Sequence, residues 1–367
     1  MFQLAQTAWP RFGGDQANRS LLTIAGPHTA PNWHTIALPV LDSASDQVKR
    51  TNNGVIVLPD ETLRVCHAGM LSAVTLDGTI LWQVDLRSLV REKVHWISSL
   101  PTALQTGETL LFQPDHLLLV DQAGGVRRQT YRLPDGNGRA GPDDSGGSPN
   151  LTKSGLLILS SPSGEVYLFR DNEWQEIGCF GYDIVTPAVY PDHSLAIAGY
   201  AGLGFCRVSL DGAIQWTTSF YDADLPPTLN QEQIAAVGSL NDGCSAFFTP
   251  DGKQIGSYSH AAKFAVSPDG GWVALSKQRL SRLTCDGKEL WGRDICPADN
   301  LGGIEQPLVD QDGFIFIRQK DGFLCCNAHG QTAFEVTLSL PPQGLLSIIA
   351  PGVLAYAQEH ELFLGYC

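Results

Sequence analysis

The chain predicts an all-β fold, a single β-propeller of four-stranded blades, and three observations carry that expectation. The string Asp-Gly-x-x-x-Trp occurs three times, as Asp77–Trp82, Asp211–Trp216 and Asp286–Trp291, each after an alternating apolar run of the kind that makes a half-buried strand. The last two copies lie 75 residues apart, two units of the roughly 40-residue period of a propeller blade. Finally, 38 glycines and 22 prolines suit a chain that turns every few residues, while 43% hydrophobic against 17% charged residues supplies a core.

Taken in order, the glycine of each inner-to-outer turn falls at Gly78, Gly125, Gly212, Gly252, Gly287 and Gly330, with a degenerate unit near Asp171–Trp174, which makes seven units. Each unit reads as an inner strand, a turn, a β-branched strand such as Gly54–Leu58, Gly155–Ser160 or Gly313–Ile317, another alternating strand, and the Asp-Gly turn. Pro-Asp pairs at Pro59, Pro191, Pro250 and Pro268 punctuate the hairpins, because proline presets the first turn angle. After the seventh unit, Leu345–Ile349, Val353–Ala357 and Leu362–Gly365 read as three strands without a fourth. Asn32–Leu38 reads as a Trp-bearing outer strand without a blade. Pairing the two closes the ring and removes exposed sheet edges. Eight blades are expected, with seven as the alternative, and residues 1–367 form one domain without an interdomain linker.

The formal charge of −14, spread without long acidic or basic runs, argues against a nucleic-acid partner. The residues before Trp9-Pro10 lack a cationic n-region and no long apolar stretch follows, so neither a secretory signal nor membrane insertion is expected. Nine cysteines without framework spacing suit a reducing compartment, and the cytoplasm is the expectation.

Trp9-Pro10-Arg11-Phe12-Gly13-Gly14-Asp15, together with the Asp-Gly-x-x-x-Trp units, resembles the pyrroloquinoline-quinone-like propeller superfamily over nearly the whole chain. The superfamily includes quinoprotein alcohol dehydrogenases and the lipoprotein propeller of the outer-membrane assembly machine. The resemblance implies that the tryptophan packs between neighbouring blades, which is a structural role that leaves the chemistry open. It also draws attention to Cys325-Cys326, because quinoprotein dehydrogenases carry an adjacent-cysteine disulfide beneath their cofactor. Here the pair sits inside the strand Phe323–Asn327, where neighbouring side chains face opposite ways, so core thiols are expected. The family's Glu-Asn-Asp calcium cluster is not recognisable either. Pyrroloquinoline quinone is not expected as a cofactor.

Other motifs have structural readings. Gly136–Gly141 matches a dinucleotide fingerprint in form, yet Pro142–Gly147 continues the loop where a helix should receive the pyrophosphate. Residues 135–150 are therefore read as a Gly-rich inter-blade loop, long enough to act as a lid. Ser267–Trp272 reads as a hairpin turn. No zinc-ligand spacing or nucleophile elbow is present. A metal assembled from different blades stays open.

Residues just before each inner strand converge on the axis in a propeller. This register nominates His95, Asp144, Tyr182, Asp183, His260, Lys263 and Glu305 for one polar central cup. Converging titratable groups of that kind suit binding or general acid–base work. The expected function is a ligand-binding propeller holding a small molecule or peptide on that face, with a protein partner also open. The alternative is a cofactor-independent lyase, cyclase or isomerase, with a protein-assembly scaffold or quinone-dependent oxidoreductase behind both. A deep cup with buried Tyr182 and Asp183 would favour catalysis.

Overall fold

A computed structural model describes residues 2–11, 14–39, 54–67, 69–86, 101–113, 116–130, 150–152, 154–160, 164–171, 173–182, 184–296, 306–338, 345–358 and 360–367. They form eight four-stranded antiparallel sheets arranged as the blades of a propeller. Blades one to seven occupy residues 54–85, 102–130, 150–179, 188–217, 228–258, 262–294 and 308–337. Blade eight joins three C-terminal strands to the N-terminal strand Asn32–Ala37, which pairs antiparallel with Glu361–Tyr366 from Asn32 opposite Tyr366 to Ala37 opposite Glu361. The ring is closed by its two ends, as expected. The described residues contain no helix long and apolar enough to cross a membrane.

The repeated turn is legible in local chemistry. In Thr75–Gly78, Ser209–Gly212, Thr249–Gly252 and Thr284–Gly287, the leading hydroxyl donates to the aspartate and the glycine N–H bonds back three residues. That hydroxyl bond, first among the causes, holds Asp77, Asp211, Asp251 and Asp286 below the usual carboxylate range. Register shifts beside these turns, as at Ala73/Val74 and Phe247/Phe248, mark a bulge that requires a left-handed residue. In blade two that residue is Gly124 (φ 87°), and the expected Gly125 is corrected by one position. There Asp121 stands where the hydroxyl residue stands elsewhere, and its carboxylate accepts the N–H groups of Ala123 and Gly125 at 2.9 and 2.7 Å.

The same glycines receive the tryptophans. Trp82, Trp216 and Trp291 donate their indole N–H to the carbonyls of Gln122, Pro250 and Ala328 in the following blade, at 2.6, 2.8 and 2.9 Å. Their rings lie so close to Gly124, Gly252 and Gly330 that an added Cβ would stand 3.0, 2.7 and 2.8 Å away. In the closing strand it is Ile36, not Trp33, that covers the equivalent Gly78. Trp33 packs instead against Phe323 and Tyr356, with ring centroids at 5.9 and 5.6 Å. Between blades five and six the cohesion is fully interior, with Trp272 buried between Phe247 and Phe264.

Cys325 and Cys326 occupy consecutive strand positions opposite Phe316 and Ile315, and they enter different core clusters on the two faces of the sheet. Burial, the first cause for each, pushes both thiols up.

Candidate functional site

The axis has a front end, where inner strands begin, and a rear end, where they finish. At the rear the N-terminal segment runs around the axis as a ring. The last residue of six inner strands donates its N–H to this segment: Val57 to Trp9, Ala103 to Pro10, Val189 to Gln16, Leu229 to Ala17, Val266 to Arg19 and Val309 to Ser20, at 2.8–3.0 Å. Asn150 reaches the Gln16 carbonyl through its side chain at 2.9 Å. The segment turns through left-handed Asn18 and Ser20, and Asp15 holds the bend by accepting the N–H groups of Ala17 and Arg19 at 3.0 and 3.2 Å. The described residues of the motif that begins at Trp9 are therefore structural. Trp9 is buried, its ring 3.3 Å from where a Cβ on Gly14 would stand.

Arg11 enters the axis and is buried, donating to the Asp15 carbonyl at 2.5 Å and to Asn18 Oδ1 at 3.3 Å. Burial pulls this guanidinium down to about 10, so it stays charged at neutral pH. Other axial polar groups tie neighbouring blades together. Asn150 donates to the Pro187 carbonyl, Thr228 to Phe264, Gln306 to Phe264 and Ser347 to Val55, at 2.7, 3.2, 3.2 and 3.0 Å. Beside Trp9, Ser20 and Gln306 lies a cavity of about 20 Å³, room for roughly one water. The described axis is a packed core. On the rear face the ring frames a shallow bowl of about 990 Å³ edged by neutral amides such as Gln3, Gln105, Gln231 and Gln311. The sequence reading missed this concavity, since backbone bonds that shape it leave no side-chain signature.

Of the nominated cup residues, His95, Asp144, Asp183 and Glu305 lie outside the described residues, as do residues 135–149 of the Gly-rich loop. Tyr182 stands at the front, 61% exposed, on a short strand that joins blade three to blade four. His260 is exposed just before the inner strand of blade six, its ring 5.1 Å from that of Tyr258. Lys263 is buried within that inner strand.

Around Tyr182 the front face carries an extra layer. Gly181–Tyr182 pairs antiparallel with Tyr200–Gly202, placing Tyr182 opposite Tyr200, and Tyr200 in turn bridges Asp222. The segments touch only because glycines permit it: a Cβ on Gly202 would stand 2.8 Å from the Gly181 backbone. Tyr200 and Tyr221 are 43% and 57% exposed. Asp224 accepts the Leu240 N–H at 2.8 Å, and its pKa is raised, first by burial and further by Asp222 and Asp242. The register that nominated Tyr182 missed Tyr200 and Tyr221. The run Gly199–Gly204 was the available signal.

Among the described residues, one grouping has metal-ligand composition, His28 with Asp310 and Asp312. His28 Nε2 lies 2.9 Å from Asp310 Oδ2 and 3.7 Å from Asp312, and its ring stacks on Phe314 at 3.7 Å. The Asp310 carboxylate also accepts the N–H groups of Gly26, Asp312 and Phe314, at 2.9, 3.0 and 2.8 Å. It fixes the N-terminal segment to blade seven.

No family model matches the chain, and no curated protein matches it. Solved structures do. BamB from Moraxella catarrhalis is 14% identical, with 92% of this chain and 98% of that one covered at a TM-score of 0.61. Quinohemoprotein alcohol dehydrogenase from Comamonas testosteroni is 10% identical, with 97% and 80% covered at 0.68. A europium-containing methanol dehydrogenase is 12% identical, with 95% and 88% covered at 0.62. The chain thus has the fold of the BamB-like and quinoprotein-dehydrogenase-like propellers, and the likeness is one of fold.

Proposed function

We propose that this is a ligand-binding propeller whose working surface is the front face, holding a small molecule or peptide over a cup formed where the inner strands begin. The observation that carries the reading is the asymmetry of the axis. The rear end is closed by a ring of backbone hydrogen bonds, while Tyr182 and His260 stand in solvent at the front. Binding is favoured over acid–base catalysis because Tyr182, 61% exposed, stands open to solvent and not in a closed pocket that shields reacting groups from water. His95, Asp144, Asp183, Lys263 and Glu305 complete the proposed cup by register. The odd cysteine count supports work in a reducing compartment, the cytoplasm.

The test is a thermal-shift screen of metabolites and short peptides, repeated with Tyr182→Phe and Asp183→Asn. Stabilising ligands should lose about tenfold in affinity in these variants, while the unliganded melting temperature moves by less than about 2 °C. Ligands that ignore both substitutions but are lost in Gln231→Ala or Gln311→Ala would move the function to the rear bowl.

A further inference from the structure

Charge is distributed very unevenly along the chain. Residues 171–252 hold eleven Asp or Glu and a single cation, Arg207, a net of −10 against −14 for the whole protein. That cation is already committed. Arg207 pairs with Asp192 at 2.7 Å, donates to Ser194 and to the Pro250 carbonyl at 2.7 and 2.6 Å, and lies 4.1 Å over the Tyr190 ring. Nothing basic from this stretch is left to neutralise its front edge. There Tyr182, Tyr200, Tyr221 and Leu240 are all at least 40% exposed, the larger part of the large apolar side chains that the described residues leave in solvent.

These groups form one connected surface. Tyr182 faces Tyr200 across an antiparallel pair and Tyr200 faces Asp222, so the three side chains share a sheet face. Two strand spacings put Tyr182 and Asp222 about 10 Å apart. Tyr221 extends the aromatic surface around the edge. Asp224, which accepts the Leu240 N–H at 2.8 Å, ties this edge to blade five, where Asp242 continues the acidic run.

We propose that this front-face patch docks a basic segment of a partner protein, an extended stretch in which arginine or lysine recurs every second residue. The inference rests on the front face being the working surface and adds the chemistry of its ligand. Tyrosine faces attract guanidinium and ammonium groups, and the surrounding carboxylates supply the complementary charge. Spacing selects a chain over a single small cation. In an extended peptide residues i and i+2 lie about 7 Å apart on one side, so two successive cations span the surface from the tyrosine pair to the aspartates. A nucleic acid or an anionic lipid surface would be repelled from it.

The test is fluorescence anisotropy with the full chain and two labelled peptides of about ten residues, one alternating Arg with Ser and the other Glu with Ser. The Arg-Ser peptide should bind and the Glu-Ser peptide should not. Tyr182→Ser and Tyr200→Ser should each weaken binding about threefold to fivefold, and Asp222→Asn about threefold. Raising salt from about 50 to about 300 mM should weaken it further. Glu173→Gln with Glu232→Gln removes two exposed charges away from the patch, and should change affinity by less than about 1.5-fold. Circular dichroism would confirm that each variant is folded. No binding of the Arg-Ser peptide, equal losses from the remote glutamate pair, or equally tight binding of a neutral Tyr-Ser peptide would each overturn the proposal. If Arg-Ser binding fails while a screened ligand still depends on Tyr182 and Asp183, the basic-partner inference falls and the front-face reading survives it.

Discussion

At the rear end of the axis, six inner-strand N–H groups finish on carbonyls of one N-terminal segment; at the front end, Tyr182 and Tyr200 on a short strand pair and Tyr221 in the turn before Asp222 stand in water. The first arrangement spends polar groups on cohesion, since an inner strand whose last N–H lacked a partner would leave a buried donor unsatisfied. The second leaves aromatic surface exposed. In the proposed reading, stability at the rear and recognition at the front are separated along about one strand length, and the separation can be attacked from either side.

The largest effect should come from the rear. Deleting residues 1–25 removes the ring but keeps Asn32–Ala37, and should cost about 5 kcal/mol or more, from six backbone hydrogen bonds at about 1 kcal/mol each plus the burial of Trp9. Deleting 1–38 also opens an edge on blade eight and should cause aggregation, read by melting and light scattering. An equally stable, soluble truncation would show that the ring is only draped on the propeller.

The front carries a pH-sensitive element. His67, buried at the end of a blade-one strand, bonds Ser72 at 2.8 Å, and its pKa is pulled down to about 4, first by burial and then by His360. The folded value lies below the unfolded one, near 6.5. This contribution is complete above pH about 6.5 and lost as pH falls toward 4, reaching roughly 3 kcal/mol there. Denaturant titrations of His67→Gln across that window should be flatter than those of the native chain. Unchanged pH dependence would remove His67 as the cause.

Trp216→Ala comes next. The indole is only half-buried, so the 3–5 kcal/mol appropriate to a fully buried tryptophan falls to about 2–3 kcal/mol, part of it from the lost bond to the Pro250 carbonyl. Trp272→Ala, at a fully buried site, should cost more, and chemical denaturation of the two variants sets rim docking against core packing. The smallest change in stability should be that of Tyr182→Phe, within about 0.5 kcal/mol by the same assay. A larger loss would mean that the front layer is structural after all.

The blade grammar was legible in the residues because its causes are local. A hydroxyl two residues before Asp-Gly closes a turn of fixed length, the glycine supplies the left-handed angle, and the alternation before it sets one buried face. Even the closing strand could be found, since Asn32–Ala37 had the pattern of an outer strand and blade eight lacked one. Local pattern failed where a different residue performed the same task, as when Gly124 displaced Gly125 and Ile36 took the place of a tryptophan. The site was only partly legible. Tyr182, His260 and Lys263 were named by register, yet register does not say that one is exposed and another buried, because exposure depends on which neighbouring loop covers the position.

By itself, then, the sequence determined the repeat and closure of the ring, consequences of turn chemistry and apolar alternation within about 40 residues, although Gly54–Val57, read as the strand after an inner one, is itself the inner strand of blade one. Tertiary structure alone decided that the segment from Trp9 to Ser20 seals the rear of the axis and that Tyr182, Tyr200 and Asp222 share one surface. Both depend on pairings between distant backbones. Every residue carries the same N–H and C=O, and no composition of side chains records which of them will meet.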